Sequence, residues 1–185
     1  MAALPTATAT AAAIVDNEQN PCFSPEKSGE GFPMCSIEQD KYQALYDAVV
    51  KQGNLFETLS LDVLRLPKIR PLYGFSAYCK HEAKQRWRIA CRIEKKMVTY
   101  GVAPFSPDLP VQVFSTPQEA MKMIVDGENA CHNMATVIND SISTKIYYAI
   151  GKEFDEACRH FSEFPNLTDG VEKLYRHDRQ LKERY

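Results

Sequence analysis

Residues 72–100, LYGFSAYCKHEAKQRWRIACRIEKKMVTY, decide the fold of this chain. The stretch contains no proline, and its one glycine, Gly74, lies where the first turn of a helix would be. Its apolar residues recur at intervals of three, four and seven, the period of one helix face. They are Leu72, Phe75, Cys79, Ala83, Trp87, Ala90 and Met97. The stretch therefore predicts a single helix of about 43 Å, a length typical of long-helix bundles.

A basic stripe occupies another face of the same predicted helix. A lysine or arginine stands at every fourth position: Lys80, Lys84, Arg88, Arg92 and Lys96. Such a stripe could contact RNA or anionic lipid, but Trp87 is the only aromatic residue interleaved with it. A solvated face or a protein contact is the favoured interpretation, and no nucleic-acid partner is expected.

Residues 1–36 predict an extended, irregular N-terminal arm rich in alanine, threonine, proline and glycine. A segment of this composition becomes ordered only when a partner surface offsets the backbone entropy that ordering costs. We expect its larger apolar side chains to bind neighbouring subunits rather than the chain's own core. These partner-binding candidates are Ile14, Val15, Phe23, Phe32 and Met34.

The segments on either side of residues 72–100 also predict helices. Ser36 and Gln39 form a capping-box pattern ahead of an apolar stripe that continues to Leu66. After residue 100, the stretch 101–115 has three prolines and predicts an extended crossing that runs the length of the bundle. A crossing of that length makes the helices on either side of it parallel.

The C-terminal third of the chain predicts three more helices. The third helix of the bundle opens at Thr116-Pro117, with threonine as cap and proline in the first turn. A fourth follows from apolar positions at Tyr147, Ile150, Phe154, Cys158 and Phe161, and Pro165 ends it. With no sustained strand alternation, the chain is predicted to be all-α: an arm (1–36), a helical bundle (37–164) and a short polar C-terminal helix (165–185).

This order of helices resembles the ferritin family, and short motifs support the resemblance. Leu72, Phe75, Tyr78 and His81 match the L-x-x-F-x-x-Y-x-x-H pattern of the second ferritin helix. Ala90 and Gly101 fall at the alanine of E-E-R-E-H-A and at the R-G-G turn, and Thr116–Lys122 with Glu128 is similar to the third helix of ferritin light chains. The resemblance covers Ile37 to about Ile142 and implies a ferritin-like four-helix bundle. An unrelated bundle of similar periodicity is the alternative.

The residues that match the ferritin di-iron centre argue against iron oxidation. A di-iron bundle uses glutamates and a Glu-x-x-His motif that point inward, and no Glu-x-x-His occurs in this sequence. Arg86 stands at the bridging glutamate, Ile89 at the histidine, and Lys51 and Gln52 near the first-helix ligand, leaving only Glu128. A guanidinium cannot ligate iron and repels it. We expect no enzyme activity, no resident metal and no cofactor.

Two interpretations of Arg86 remain open. It could reach a buried Glu128 and form a structural ion pair in place of the metal, or it could extend to solvent. Metal binding is a separate alternative, because Glu128 with His132 and Glu156 with His160 each place a carboxylate and an imidazole one helical turn apart. Such pairs are more often modest surface interactions.

Composition sets broader limits. A net charge of −2 gives no general attraction to nucleic acid or anionic membranes, and no apolar run approaches the roughly 20 residues of a membrane span. Six cysteines without a CxxC motif suggest reduced thiols and an intracellular protein, in the mitochondrion or the cytosol, with a Cys22–Cys35 bridge as the exception. The sequence therefore predicts a non-catalytic ferritin-like structural subunit of a larger hetero-assembly. The alternative is an iron-storage or metal-binding ferritin-type protein.

Overall fold

The computed structural model describes residues 36–138 and 144–185, and all regular structure in these residues is helical. The α-helices are α1 (Ser36–Asp62), α2 (Tyr73–Thr99), α3 (Pro117–Ile138), α4 (Thr144–Glu163) and α5 (Val171–Arg184), with a 3₁₀ turn at Leu167–Asp169. The predicted all-α fold class is thereby confirmed. Apart from Ser36, which begins α1, the predicted arm and all its partner-binding candidates lie outside the described residues.

Helices α1 to α4 form the bundle, and its core has two apolar clusters at opposite ends. The first cluster takes residues 55–66 of the α1 region, 72–83 of α2 and 120–124 of α3. The second takes residues 42–50 of α1, 89–97 of α2 and 131–138 of α3. Rising numbers in α2 and α3 therefore run in the same direction, and α1 runs oppositely. This is the parallel arrangement expected from the long crossing.

Helix α2 is the helix predicted over residues 72–100, and its apolar face lies almost as the sequence predicts. Its expected apolar residues are buried except Trp87, which is half-buried beside Gly53 of α1. The basic stripe stays at the surface. Between the apolar positions, the same inward face also buries Glu82 and Arg86. The inward face of α2 is thus charged at its centre.

Helix α3 begins with the cap that the sequence predicts, whereas α4 buries a different face from the predicted one. At the start of α3, Thr116 Oγ1 accepts the backbone N–H of Glu119, and the Glu119 carboxylate accepts the N–H groups of Ser115 and Thr116. This reciprocal cap is the one that the sequence indicates. Met134 of α3 is exposed, and the predicted face of α4 is partly wrong, because α4 buries a face rotated by about one residue from it. That buried face consists of Ile146, Ile150, Glu153, Ala157 and His160.

Helix α5 packs across the N-terminal end of α2. Leu174 and Leu181 enter the first apolar cluster, whereas Val171 is exposed. The first turn of α2 has no cap from its own preceding residue, and the backbone N–H of Phe75 donates instead to Asp178 Oδ1 of α5 at 2.8 Å. A carboxylate at a helix N-terminus satisfies a free amide and interacts favourably with the helix dipole. The polar helix therefore completes the end of the bundle.

Two further sequence expectations concern thiols and membranes. Cys79, Cys91, Cys131 and Cys158 are free thiols, and Cys22 and Cys35 lie outside the described residues. Over the described ranges, none of the helices is both long enough and apolar enough to cross a membrane.

Replacing Gly74 tests the contact between α2 and α5. Gly74 lies against the backbone of α5, where an added Cβ would collide with the Asp178 carbonyl. Backbone cannot move aside as a flexible side chain can, so we expect Gly74→Ala to displace α5 and lower the free energy of unfolding by about 2 kcal/mol or more. Gly151→Ala in α4 is the matched control, because a Cβ there meets only ordinary contact distances. It should be neutral or stabilising by up to about 1 kcal/mol. Urea unfolding of the two variants provides the comparison, and equal stabilities would contradict the proposed packing.

Candidate functional site

A polar layer separates the two apolar clusters at the same level of all four bundle helices. It comprises Gln52 of α1, Glu82 and Arg86 of α2, Glu128 of α3 and Glu153 of α4. Glu82 and Arg86 are four residues apart and share a helix face. Each of the other helices contributes its residue between apolar positions that point into the bundle. The layer therefore belongs to the centre of the core.

Arg86 is at the centre of this layer and is only 2% exposed. Its Nε donates to Glu128 Oε1 at 2.6 Å, and its Nη1 donates to Glu82 Oε2 at 2.6 Å and to Glu153 Oε2 at 3.0 Å. The guanidinium carbon lies 4.9 Å from the ring centroid of Phe56 in α1. The structure brings Arg86 and Glu128 together, and Arg86 does not extend to solvent. It contacts all four bundle helices.

The layer carries more negative than positive charge when its groups are ionised. One guanidinium faces the carboxylates of Glu82, Glu128 and Glu153, so the sum of +1 and −3 is −2. Burial, offset in part by Arg86, raises the pKa of Glu82 from 4.5 to about 7. Burial likewise raises the pKa of Glu128, although Arg86 and a hydrogen bond from Gln52 act against it. Like charges at such short distances do not all ionise together, so Glu82 loses its proton at a higher pH than an exposed glutamate does.

The same carboxylates keep Arg86 charged. Burial acts to lower the pKa of Arg86, but Glu128, Glu82 and Glu153 together outweigh it and raise the pKa above its usual range. One guanidinium atom, Nη2, is buried and has no hydrogen-bond partner among the described residues. The cation is thus held firmly, with one donor left unsatisfied.

Gln52 completes the layer from α1 with an amide. Its Nε2 donates to the backbone carbonyl of Ile124 at 2.9 Å, and the side chain also hydrogen-bonds Glu128. Gly127 of α3 faces this amide so closely that any side chain there would collide with it. The first helix therefore supplies an uncharged hydrogen-bonding group where a metal centre would need a carboxylate.

The two Glu–His pairs considered as metal ligands are used elsewhere. Glu128 is engaged with Arg86, and the ring of His132 stacks on Phe154 with centroids 5.0 Å apart. His160 Nε2 is 3.8 Å from Glu156 and hydrogen-bonds the Tyr185 hydroxyl at 2.9 Å. Within residues 36–138 and 144–185, no group of three His, Cys, Asp or Glu side chains is arranged to hold a metal ion.

Sequence reasoning missed Glu82 and Glu153. The sequence does contain a signal for Glu82, since this residue precedes Arg86 by four positions and so lies on the same face of the helix. Glu153 had a weaker one: it follows Ile150 by three residues, but its apolar neighbour Phe154 fits the helix stripe equally well. Phe154 is half-buried instead, because Glu153 turns inward to meet Arg86.

Comparison with known proteins supports the fold. No protein-family model matches the sequence, and no curated protein sequence is significantly similar to it. The structure is similar to the crystal structure of the secreted ferritin of Trichoplusia ni, with a TM-score of 0.60 and 15% sequence identity. The match covers 80% of this chain and 82% of that one. The chain thus has a ferritin-like fold.

Removing the guanidinium should destabilise the bundle strongly. Arg86→Ala leaves three buried carboxylates without their cation, so we expect a loss of about 3–5 kcal/mol in the free energy of unfolding. Chemical denaturation at pH 7 measures the loss. Arg88→Ala, an exposed position on the same helix, should change stability by less than about 0.5 kcal/mol.

Adding neutral substitutions to an Arg86 variant should restore stability. Arg86→Met with Glu128→Gln should recover part of the loss, and further replacement of Glu82 and Glu153 by glutamine should recover more. If Arg86→Ala matches Arg88→Ala, or if the substitutions are simply additive, the charges are not coupled in the folded protein.

Stability should fall as pH rises through neutrality, and Glu82 should account for much of the fall. The pKa of Glu82 is raised in the folded protein, so the folded state binds more protons than the unfolded state between pH 4.5 and about 7. The associated stability is present below pH 4.5 and is lost through pH 7. We expect Glu82→Gln to remove about 2 kcal/mol of the decrease between pH 5 and pH 8.

Thermal unfolding of the wild type and of Glu82→Gln between pH 5 and pH 8 measures how much of the pH-dependent loss of stability is due to Glu82. His160 and His177 have lowered pKa values, chiefly through burial, and so contribute the opposite slope below pH 6.5. They are unchanged in the variant and cancel in the comparison. Glu94→Gln, at an exposed site on α2, is the control and should keep the wild-type slope. If the stability of Glu82→Gln fell with pH in parallel with that of the wild type, the raised pKa of Glu82 would be contradicted.

Proposed function

We propose that the protein is a non-catalytic, ferritin-like structural subunit of a larger protein assembly and has no ferroxidase activity. The observation that carries this proposal is the buried guanidinium of Arg86 between Glu82, Glu128 and Glu153. In a di-iron bundle, carboxylates at the centre coordinate metal. Here they surround a cation that belongs to the chain. A metal ion entering the layer would have to displace that cation or suffer its repulsion.

The residues around Arg86 also lack the chemistry that iron oxidation requires. Open coordination positions and ligands free to bind are needed for metal-assisted reactions. Glu128 gives its oxygen to Arg86, and Gln52 gives its amide to a backbone carbonyl and to Glu128. The nearest imidazole on α3, His132, is stacked on an aromatic ring. These assignments favour a purely structural layer.

The surface supports a role in assembly. The crossing between α2 and α3 exposes large apolar side chains: Phe105 is 77% exposed, Val111 92% and Val113 84%. Beneath it, a groove of about 560 Å³ lies between α1 and α3 and is floored by small residues that include Ala44, Ala48 and Ala130. Exposed apolar side chains beside such a groove are typical of a protein interface. We assign this face to contacts with other subunits.

A hetero-assembly fits the chain better than a closed ferritin shell. A shell that nucleates mineral has an acidic inner face, whereas the exposed stripe of α2 is basic from Lys80 to Lys96. The arm of residues 1–36, with Phe23 and Phe32 among its anchors, provides a further segment for reaching neighbouring subunits. An intracellular location, mitochondrial or cytosolic, follows from the reduced-thiol interpretation of the cysteines.

The alternative is an iron-storing or metal-binding ferritin-type protein. The fold it shares with a secreted ferritin is the observation in its favour. Fold similarity alone does not determine function, because a site can be lost while its scaffold remains. The two possibilities differ in metal content, in iron oxidation and in native mass.

Purified full-length protein should contain no stoichiometric iron or zinc and should not accelerate oxygen consumption with ferrous iron. In native extract, the protein should elute with other polypeptides, well above the 21.0 kDa of the chain. Replacing Val111 and Val113 with aspartate should release it from that complex, because it places charge in an apolar interface. Metal analysis, oxygen electrode traces and size-exclusion chromatography with mass spectrometry measure these outcomes.

A matched control separates assembly from folding. Lys152→Asp places the same side chain at an exposed site of α4 outside the groove, and the variant should remain in the complex with an unchanged melting temperature. Stoichiometric iron with ferrous oxidation would overturn the non-catalytic assignment. A lone 21.0 kDa species would overturn the assembly, and a large closed homo-oligomer would favour the ferritin shell.

A further inference from the structure

A basic pocket lies between the C-terminal end of α2 and the first turn of α4. It has a volume of about 520 Å³, within the usual range for small-molecule sites. Its lining is Arg92, Lys95, Lys96, Thr99, Lys145 and Ile146. The first four of these residues have the spacing i, i+3, i+4 and i+7 and so share one face of α2. Four cations and no carboxylate line the pocket, although the whole chain has a net charge of −2.

The described part of the chain provides no counter-ion for these cations. None of the ion pairs formed within it includes Arg92, Lys95, Lys96 or Lys145. Glu94 is the nearest carboxylate in the α2 sequence, and after burial it is the largest contributor to the raised pKa of Tyr46 on α1. The Glu94 carboxylate therefore interacts with α1 rather than with α4. Like charges held together without a counter-ion repel one another, which is costly unless a ligand neutralises them.

Helix stabilisation explains only part of the cluster. A cation in the last turn of a helix interacts favourably with the helix dipole, and this accounts for Lys96 at the end of α2. Lys145 is the second residue of α4, where a cation is unfavourable and where that helix has no acidic residue. Arg92 is about two turns before the end of α2, beyond the reach of the same effect. Their placement is better explained by a bound anion.

We propose that this pocket binds a ligand carrying two or more linked or neighbouring phosphoryl groups. Arg92 provides a planar fork that matches two phosphate oxygens, and the lysines provide mobile ammonium donors. A single phosphate would leave about half of the four positive charges uncompensated, whereas a di- or triphosphate matches them more closely. The same chemistry is present in a free polyphosphate or nucleotide and in a multiply phosphorylated lipid headgroup. The site lies at one end of the second apolar cluster, apart from the Arg86 layer.

Titration of the full-length protein with tripolyphosphate tests the pocket. Isothermal calorimetry should show one site per chain, and Lys145→Glu should weaken its affinity about tenfold or more, since a charge-assisted contact becomes a repulsion. The same substitution places an acid at the N-terminus of α4, so the melting temperature should be unchanged or higher. Loss of binding with undiminished stability cannot be attributed to unfolding.

Lys84→Glu is the matched control, because it makes the same change of charge on α2, outside the pocket. Its effect on affinity should stay within about twofold at physiological salt. Equal weakening by Lys84→Glu and Lys145→Glu would mean general attraction to a basic surface and would overturn the site. Sulfate or orthophosphate binding as tightly as tripolyphosphate would show an adventitious ion only and would overturn the site as well.

Vesicles distinguish the two sources of the phosphoryl groups. Phosphatidylcholine vesicles with and without a bisphosphorylated inositol lipid are sedimented with the protein in parallel with the calorimetry. Sedimentation that depends on this lipid and is blocked by tripolyphosphate assigns the site to a headgroup. Binding of tripolyphosphate without sedimentation assigns it to a soluble ligand. If neither probe binds at millimolar concentration, the proposal is wrong.

Discussion

The burial of Arg86 is the constraint to which the rest of the bundle conforms. An arginine that is 2% exposed must have its charge balanced and its donors occupied, because an unpaired buried cation costs several kcal/mol. Carboxylates from α2, α3 and α4 supply the counter-charge and accept from Nε and Nη1, which leaves Nη2 as the one donor of Arg86 without a partner in the described part of the chain. The Phe56 ring of α1 covers the guanidinium face, a favourable contact for a desolvated cation. The mutual register of all four helices is therefore tied to one side chain.

This constraint explains why the core is divided. A charged layer cannot mix with apolar packing, so the hydrophobic residues form one cluster on each side of it. Sliding α3 or α4 by a turn would move its carboxylate into one of these clusters and leave it unpaired, and sliding α1 would do the same to the amide of Gln52. The layer thus selects one register from several that the apolar stripes alone would permit. An excess of carboxylates makes the same layer sensitive to pH, because Arg86 balances only part of their charge and the pKa of Glu82 is raised to about 7.

The sequence predicts the fold well because the decisive signals are local. Helical periodicity, the cap at Thr116 and the prolines of the crossing each depend on neighbouring residues, and together they lead to the observed helix order. The candidate site was predicted only in part. Arg86 and Glu128 were identified from their places in the ferritin pattern. Glu153 could not be, since choosing it over Phe154 requires knowing where the guanidinium of another helix ends. The choice depends on a tertiary contact, which the hydrophobic periodicity of α4 alone does not indicate.

The distribution of cations also suggests which parts of the molecule face inward and which face a ligand. Arg86, in the core, has three carboxylates around it. At the far end of the same helix, Arg92, Lys95 and Lys96 line a pocket with Lys145 and form no ion pair in the described part of the chain. A fold stabilised by one internal cation gains nothing from crowding others at its surface. The internal charge is explained by the bundle itself, whereas the external ones have no counter-ion among residues 36–138 and 144–185. Ligand binding by this ferritin-like fold is therefore better sought in the pocket at the C-terminal end of α2 than in the layer around Arg86.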